Sequence, residues 1–188
     1  MVMTSPDMLD HIAKAVRDDR KPPVHKWNPD CLGKLDMTIA RDGSWHYMGS
    51  PIARRRMVKL FASILRRDAD GRYYLVTPVE RFEITVEDAP FVAVEMFVDG
   101  EGVEQRIAFR TQVDDYVVAD ADHPIRIATD PDSGEPAPYI MVRDGLEALI
   151  ARAVFYDLVD LATGADGDDD RLGVWSAGRF FELGRAEA

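Results

Sequence analysis

Guanidinium groups are the most concentrated chemistry in this sequence. Arg54, Arg55, Arg56, Lys59, Arg66 and Arg67 crowd into one short stretch of a chain whose formal net charge is −11. Arginine forks match phosphate and carboxylate bidentately, so the stretch reads as an anion site. It reads equally well as a solvated helix face that neutralises acidic neighbours. On a helix, Arg55, Lys59 and Arg66 fall on one stripe, while Arg54 and Arg56 flank the apolar face. Trp45 and Tyr47 lie upstream on a strand candidate, two residues apart and so on one face, with His46 on the other. A flat aromatic surface beside several guanidinium groups suits a ring bearing a phosphate or carboxylate. The candidate ligand-binding set is Trp45, Tyr47, Arg54 and Arg55, joined across a cleft by Arg126, Tyr139 and Arg143. Arg54 falls in the first turn of its helix, where backbone N–H groups also favour an anion. The competing reading fills the core with Trp45 and Tyr47 and gives the arginines structural carboxylates such as Asp88.

The other reactive residues are dispersed. His11, His25, His46 and His123 show no metal-binding spacing, and no Cys-x-x-Cys exists. His46 reads as a sheet-face residue and His123, before Pro124, as a turn residue. Asp166–Asp170 invites a calcium loop, but Arg171 stands where such a loop needs glycine. A nucleophile elbow, a Walker loop and a dinucleotide fingerprint are all absent. Glu87/Asp88 and Asp114/Asp115 are neighbours that a strand sends to opposite faces, so neither is a ready acid–base pair. The sequence thus offers no catalytic residue, no metal site and no cofactor. A hydrolase or transferase acting on a phosphate compound would have to assemble from distant groups such as His46, His123 and Asp88. A protein–protein adaptor using Trp27 and the aromatic tail Trp175–Phe181 is the third class.

Composition narrows the partners. The 188 residues include 23 Lys+Arg against 34 Asp+Glu, and 46% are hydrophobic, enough for a core without staples. A pI near 4.8 argues against a nucleic-acid polymer and against a protein held on anionic lipid by charge. The lone Cys31 excludes an internal disulfide and suits a reducing compartment. With neither a signal segment nor a bilayer-length apolar run in view, the expected location is the cytoplasm. The expected partner is a small anionic ligand such as a nucleotide; the oligomeric state stays open.

Elements must position these groups. Residues 1–21 read as a tail or a short helix over Pro6–Arg20, and Pro22–Pro29 as an extended arm anchored by Trp27. Met37–Ala40 and Trp45–Met48 are strands joined at Arg41-Asp42-Gly43. After Pro51 a helix carries Ile52, Met57, Leu60, Phe61, Ile64 and Leu65 as its apolar stripe and ends at Asp68–Gly71; Tyr73–Thr77 returns as a strand. Beyond Pro78 strands dominate: Phe82–Val86, the nearly all-apolar Phe91–Val98 interrupted by Glu95, Gln105–Thr111, Asp115–Ala119, Ile125–Thr129 and Tyr139–Val142. Asp144 caps a second helix within Arg143–Ala162, its core face including Leu146, Leu149, Ile150, Val154 and Leu158. Arg-Asp-Gly recurs at 41–43 and 143–145, each time before a helix and an aspartate-rich turn, the mark of an internal duplication. The boundary falls near Pro78–Arg81, giving an α+β domain over 22–79 and a strand-rich domain over 80–188.

The segments Asp42–Arg54, Leu60–Arg67, Tyr74–Glu80, Val86–Phe91, His123–Arg126, Pro138–Arg152 and Trp175–Phe181 together resemble the bacterial family called domain of unknown function 1285. The match covers nearly the whole chain past Pro22. The resemblance implies a two-domain α+β protein of duplicated architecture. Its second domain would be a curved antiparallel sheet closed by a helix, superficially similar to pleckstrin-homology folds. It further implies a ligand site between the domains, a nucleotide among the candidates, and a role in signal transduction. No reaction is established for the family, so no catalytic residue is carried over.

Overall fold

Tight turns, more than helices, organise the chain. The computed structural model describes residues 21–129, 133–165 and 168–185. The expected helix over Pro6–Arg20, the start of the Asp166–Asp170 run and the Cys31 side chain lie outside the described residues. In the first half, β1 (Cys31–Ile39), β2 (Trp45–Tyr47), β3 (Ser50–Pro51), β4 (Leu65–Arg67), β5 (Tyr73–Val76) and β6 (Glu80–Val86) form one sheet. Its order is β3-β2-β1-β6-β5-β4. The central pair β1–β6 runs parallel and the other pairs antiparallel. A single helix, α1 (Arg55–Ser63), links β3 to β4.

The β1–β2 turn is built as its residues predict. Gly43 takes φ +83°, and Asp42 accepts from both the backbone N–H and the hydroxyl of Ser44. A Cβ on Gly43 would stand 2.9 Å from Gln112 Nε2 and from Val92 Cγ2, so glycine also lets this turn touch the second sheet.

Downstream of α1 the structure departs from the helical pattern. The helix stops at Ser63, and Leu65, Arg66 and Arg67 pair instead with Leu75, Tyr74 and Tyr73 across the Asp68–Gly71 turn. Arg66 is therefore not on the basic helical stripe. Its guanidinium binds Asp68 and the carbonyls of Val24 and Trp27, which holds the N-terminal arm. That arm makes a 3-10 turn at Val24–Lys26 rather than an extended run, with Val24 buried and Trp27 half-buried. Met57 and Leu60, assigned to the core stripe, are 40% and 59% exposed.

The second half builds a sheet from β7 (Phe91–Asp99), β8 (Arg106–Thr111), β9 (Tyr116–Val118), β10 (Ile125–Thr129), β11 (Pro136–Arg143) and β12 (Leu146–Ile150). Its order is β10-β11-β12-β7-β8-β9. Here the expected long helix is corrected. Asp144 and Gly145 take φ +43° and +77°, the left-handed pair of a two-residue hairpin, so Asp144 turns a strand instead of capping a helix. Leu146, Ala148 and Ile150 then face inward at 1%, 0% and 2% exposure. The helix is only α2 (Arg152–Val159). The expected all-antiparallel sheet is also corrected, because β12 runs parallel to β7 and Ala151 N–H donates to the Ala93 carbonyl.

Glu80–Val86, placed by the sequence boundary in the second region, pairs in the first sheet; the chain changes sheets between β6 and β7. After α2 come β13 (Thr163–Ala165), β14 (Asp168–Ser176) and β15 (Arg179–Arg185), an antiparallel meander. Asp168–Asp170 thus opens a strand. Buried Ser176 docks this meander, donating to Ala119 O and accepting from Ile107 N–H. In both halves an Arg-Asp-Gly hairpin precedes a short helix and three antiparallel strands. Ile39, Trp45 and Leu65 share one continuous core with Phe91, Phe109 and Ile150.

Candidate functional site at the junction of the sheets

The seven candidate residues do not meet in one cleft. Trp45 is 2% exposed and stacks on Phe61 with ring centroids 6.2 Å apart, so the core reading holds for it. Tyr47 is 45% exposed although it shares a strand with Trp45. It sits at the hairpin tip, where Met48 and Gly49 take φ +49° and +75° and twist the strand end outward. Arg54 is the exposed N-cap residue of α1. Arg143 grips the other end of that helix through the Ala62 carbonyl at 2.7 Å. Eight residues of α-helix separate those ends by about 12 Å. Arg143 also binds Asp115 at 2.6 Å and lies over the Phe91 ring, so it is a structural clamp.

Arg126 and Tyr139 do come together. The guanidinium lies 4.3 Å over the phenol ring and binds Glu147 through two hydrogen bonds of 2.6 and 2.7 Å. The Tyr139 hydroxyl donates to Asp88 at 2.7 Å, and Arg41 approaches the other Asp88 oxygen at 3.3 Å. Burial, with the Asp88 bond second, pushes the Tyr139 hydroxyl up to about 12, so it stays a neutral donor. Asp88 is indeed a structural carboxylate, but its cation is Arg41.

Arg55 enters a different network. Asp114, at φ +64° in the β8–β9 turn, accepts from Arg55 at 2.6 Å, Lys59 at 2.5 Å and Arg110 at 2.6 Å. Arg110 reaches on to Glu95 at 2.6 Å. Glu95 interrupts its apolar strand because the register slips between Ala93 and Glu95, turning Val94 and Glu95 outward beside Arg110. The Arg110 bond holds the Glu95 carboxyl below its ordinary pKa. For Asp114 burial works upward, but the bonds from Lys59 and Arg110 and the Arg55 charge outweigh it and leave a lowered value. Both groups therefore stabilise the fold fully above their unfolded values near about 4, and that stability is lost as pH falls through the lower folded values. Urea midpoints should drop on acidification below about pH 4, and Asp114→Asn, which tolerates the same backbone, should flatten that limb. An unchanged acid limb would remove this clamp from the account.

A cleft of 410 Å³ opens beside this network, where the two sheets meet. The first half contributes Ser44, Trp45, Ile52 and Arg55; the second contributes Arg110 and Gln112. The Trp45 indole N–H is buried and has no acceptor. Gln112 accepts from Val92 N–H at 2.8 Å, while its amide nitrogen has only 3.5 Å contacts with the Gly43 and Pro90 carbonyls. Two of the seven candidates, Trp45 and Arg55, thus line an inter-sheet cleft, with partners that sequence reasoning missed. Glu95 was the available signal for Arg110: a charge inside an apolar strand asks for a counter-charge on the strand beside it.

Ser44 Oγ lies 2.6 Å from Asp42 Oδ1 and 2.9 Å from His46 Nε2. Its hydroxyl proton goes to Asp42, which leaves the imidazole as donor in the second contact. His46 is then no general base for Ser44. His123 bonds Asp120 in its own turn, and Asp88 accepts from Tyr139. Among the described residues no group of three or more His, Cys, Asp or Glu side chains is placed to hold a metal ion. Among the same residues no helix is long and apolar enough to cross a membrane.

Fold and site together define a two-domain protein rich in sheet, with few helices. Residues 22–89 match the domain of unknown function DUF1285, N-terminal domain, and residues 90–183 match the DUF1285 C-terminal domain. The chain belongs to the DUF1285 family. A crystal structure of a family protein from Silicibacter pomeroyi DSS-3 is 50% identical, covers 97% of each chain and superposes with a TM-score of 0.84. A second, from Shewanella baltica OS155, is 26% identical over 67% of this chain and 91% of its own, with a TM-score of 0.50. No curated protein matches the chain.

Proposed function

We propose that this protein binds a small anionic ligand in the 410 Å³ cleft and acts in signal transduction by holding that ligand without converting it. One observation carries the reading: the Trp45 indole N–H is buried without an acceptor in a residue that lines the cleft. Such a donor costs about 1–3 kcal/mol until an oxygen from ligand or water meets it. Arg55, Arg110 and the loosely bonded Gln112 amide add donors nearby. The ring face of Trp45 is taken by Phe61, so a nucleotide would be held by its phosphate rather than by stacking on Trp45. The pleckstrin-like view of the second domain belongs to the same reading: a sheet with one short helix offers a groove without a catalytic pocket.

Thermal shift and tryptophan fluorescence with inorganic phosphate and adenosine monophosphate test it. A binding anion should raise Tm, with the gain set by its concentration over Kd, and alter the Trp45 emission. Arg55→Ala and Gln112→Ala should each weaken that binding about tenfold, and the fold persists in the first because Lys59 and Arg110 still hold Asp114. Turnover of either probe, or binding indifferent to both substitutions, would defeat the proposal.

A further inference from the structure

A larger cavity, 620 Å³, lies on the far side of the β1–β2 turn, against β11, β12 and α2. Its floor is apolar: Ala137 is 4% exposed, and Leu149 and Phe155 are half-buried. Tyr156 stands at its wall with 60% of its surface exposed, a large aromatic ring that the core does not use. Arg41 and Arg152 supply positive charge. Arg41 is engaged with Asp88, while Arg152 pairs among the described residues with Glu135, their side chains 70% and 59% exposed. An ion pair so wet is worth little and exchanges readily for another carboxylate.

The geometry points to a second ligand site here, one for a carboxylate carried on a compact aromatic body. The apolar floor and Tyr156 take the ring, and Arg152 takes the acid group in exchange for Glu135. Volume and lining are those of a small-molecule pocket, mostly apolar with a few placed charges. A bare inorganic anion would leave the floor wet, and a neutral aromatic would leave Arg152 to Glu135. The site shares no lining residue with the Trp45 cleft and does not rest on the function assigned to that cleft.

The test uses 4-phenylbutyrate as probe, titrated into the full chain by calorimetry, with the neutral 4-phenylbutanamide as its uncharged counterpart. The carboxylate should bind and the amide should bind at least about tenfold more weakly. Arg152→Glu, a fold-neutral change at an exposed position, should weaken the carboxylate about tenfold or more, and Tyr156→Ala should weaken both probes. Arg55→Ala should leave phenylbutyrate affinity unchanged, which separates this site from the Trp45 cleft. No binding at millimolar probe, equal affinity for acid and amide, or loss on Arg55→Ala rather than Arg152→Glu would each overturn the assignment.

Discussion

Arg143→Ala should lower the unfolding free energy by about 3 kcal/mol, the scale of breaking a buried ion pair. The side chain is 18% exposed and performs three tasks at once. It pairs with Asp115, donates to the Ala62 carbonyl at the end of α1, and covers the Phe91 ring. A cation at a helix C-terminus is favoured by the helix dipole, and the last-turn carbonyl it bonds lacks an i+4 partner in the helix. Alanine strips all three contacts and, among the described residues, leaves the Asp115 carboxylate to Lys21 at 2.8 Å. For a domain of this size the loss corresponds to roughly 6–12 °C in Tm. Arg143→Lys should recover only part, since an ammonium lacks the fork that reaches Asp115 and Ala62 together. A shift of under about 1 °C for Arg143→Ala, below anything expected of a buried charge, would mean that the halves are not joined through this residue.

Gly173→Ala should be comparably damaging for a reason unrelated to charge. A Cβ at that position would collide with the Phe181 carbonyl oxygen and lie 2.7 Å from Phe180 Cζ. The first neighbour is backbone, so β15 itself must move. Phe180 crosses the strand at glycine and meets Trp175 edge-on, centroids 5.5 Å apart, so displacing the ring breaks that contact too. Overpacking of this kind costs about 3 kcal/mol. Gly184→Ala is the control, because nothing lies within 4 Å of its added Cβ. Equal urea midpoints for the two variants would contradict the packing described.

Period-two strands were the most legible part of the sequence. Phe91–Val98 and Ile125–Thr129 lie within strands, and Arg41-Asp42-Gly43 turns a hairpin. The long second helix was misread because its residues satisfy two periods. Leu146, Leu149, Ile150, Val154 and Leu158 keep helical spacing, while Leu146, Ala148 and Ile150 keep strand spacing. The Asp144-Gly145 pair breaks the tie, since both residues take positive φ and close a hairpin. The site was less legible for a different reason. Two residues apart on a strand means one face only while the strand continues, and β2 ends at Tyr47. Arg110 and Gln112 come to Trp45 through the docking of two sheets, a relation that no local spacing records. The partners of Arg143, Asp115 and a helix carbonyl, are distant in sequence, so no local spacing announces them.

The β1–β2 turn borders both cavities: Arg41 lines the larger, and Gly43, Ser44 and Trp45 line the smaller. Two backbone bonds, Gly43 N–H to Ala40 O and Ala40 N–H to Ser44 O, tie these residues together. Thermodynamic reciprocity then fixes the bookkeeping: whatever factor an occupant of the larger cavity imposes on affinity in the smaller, the smaller returns unchanged.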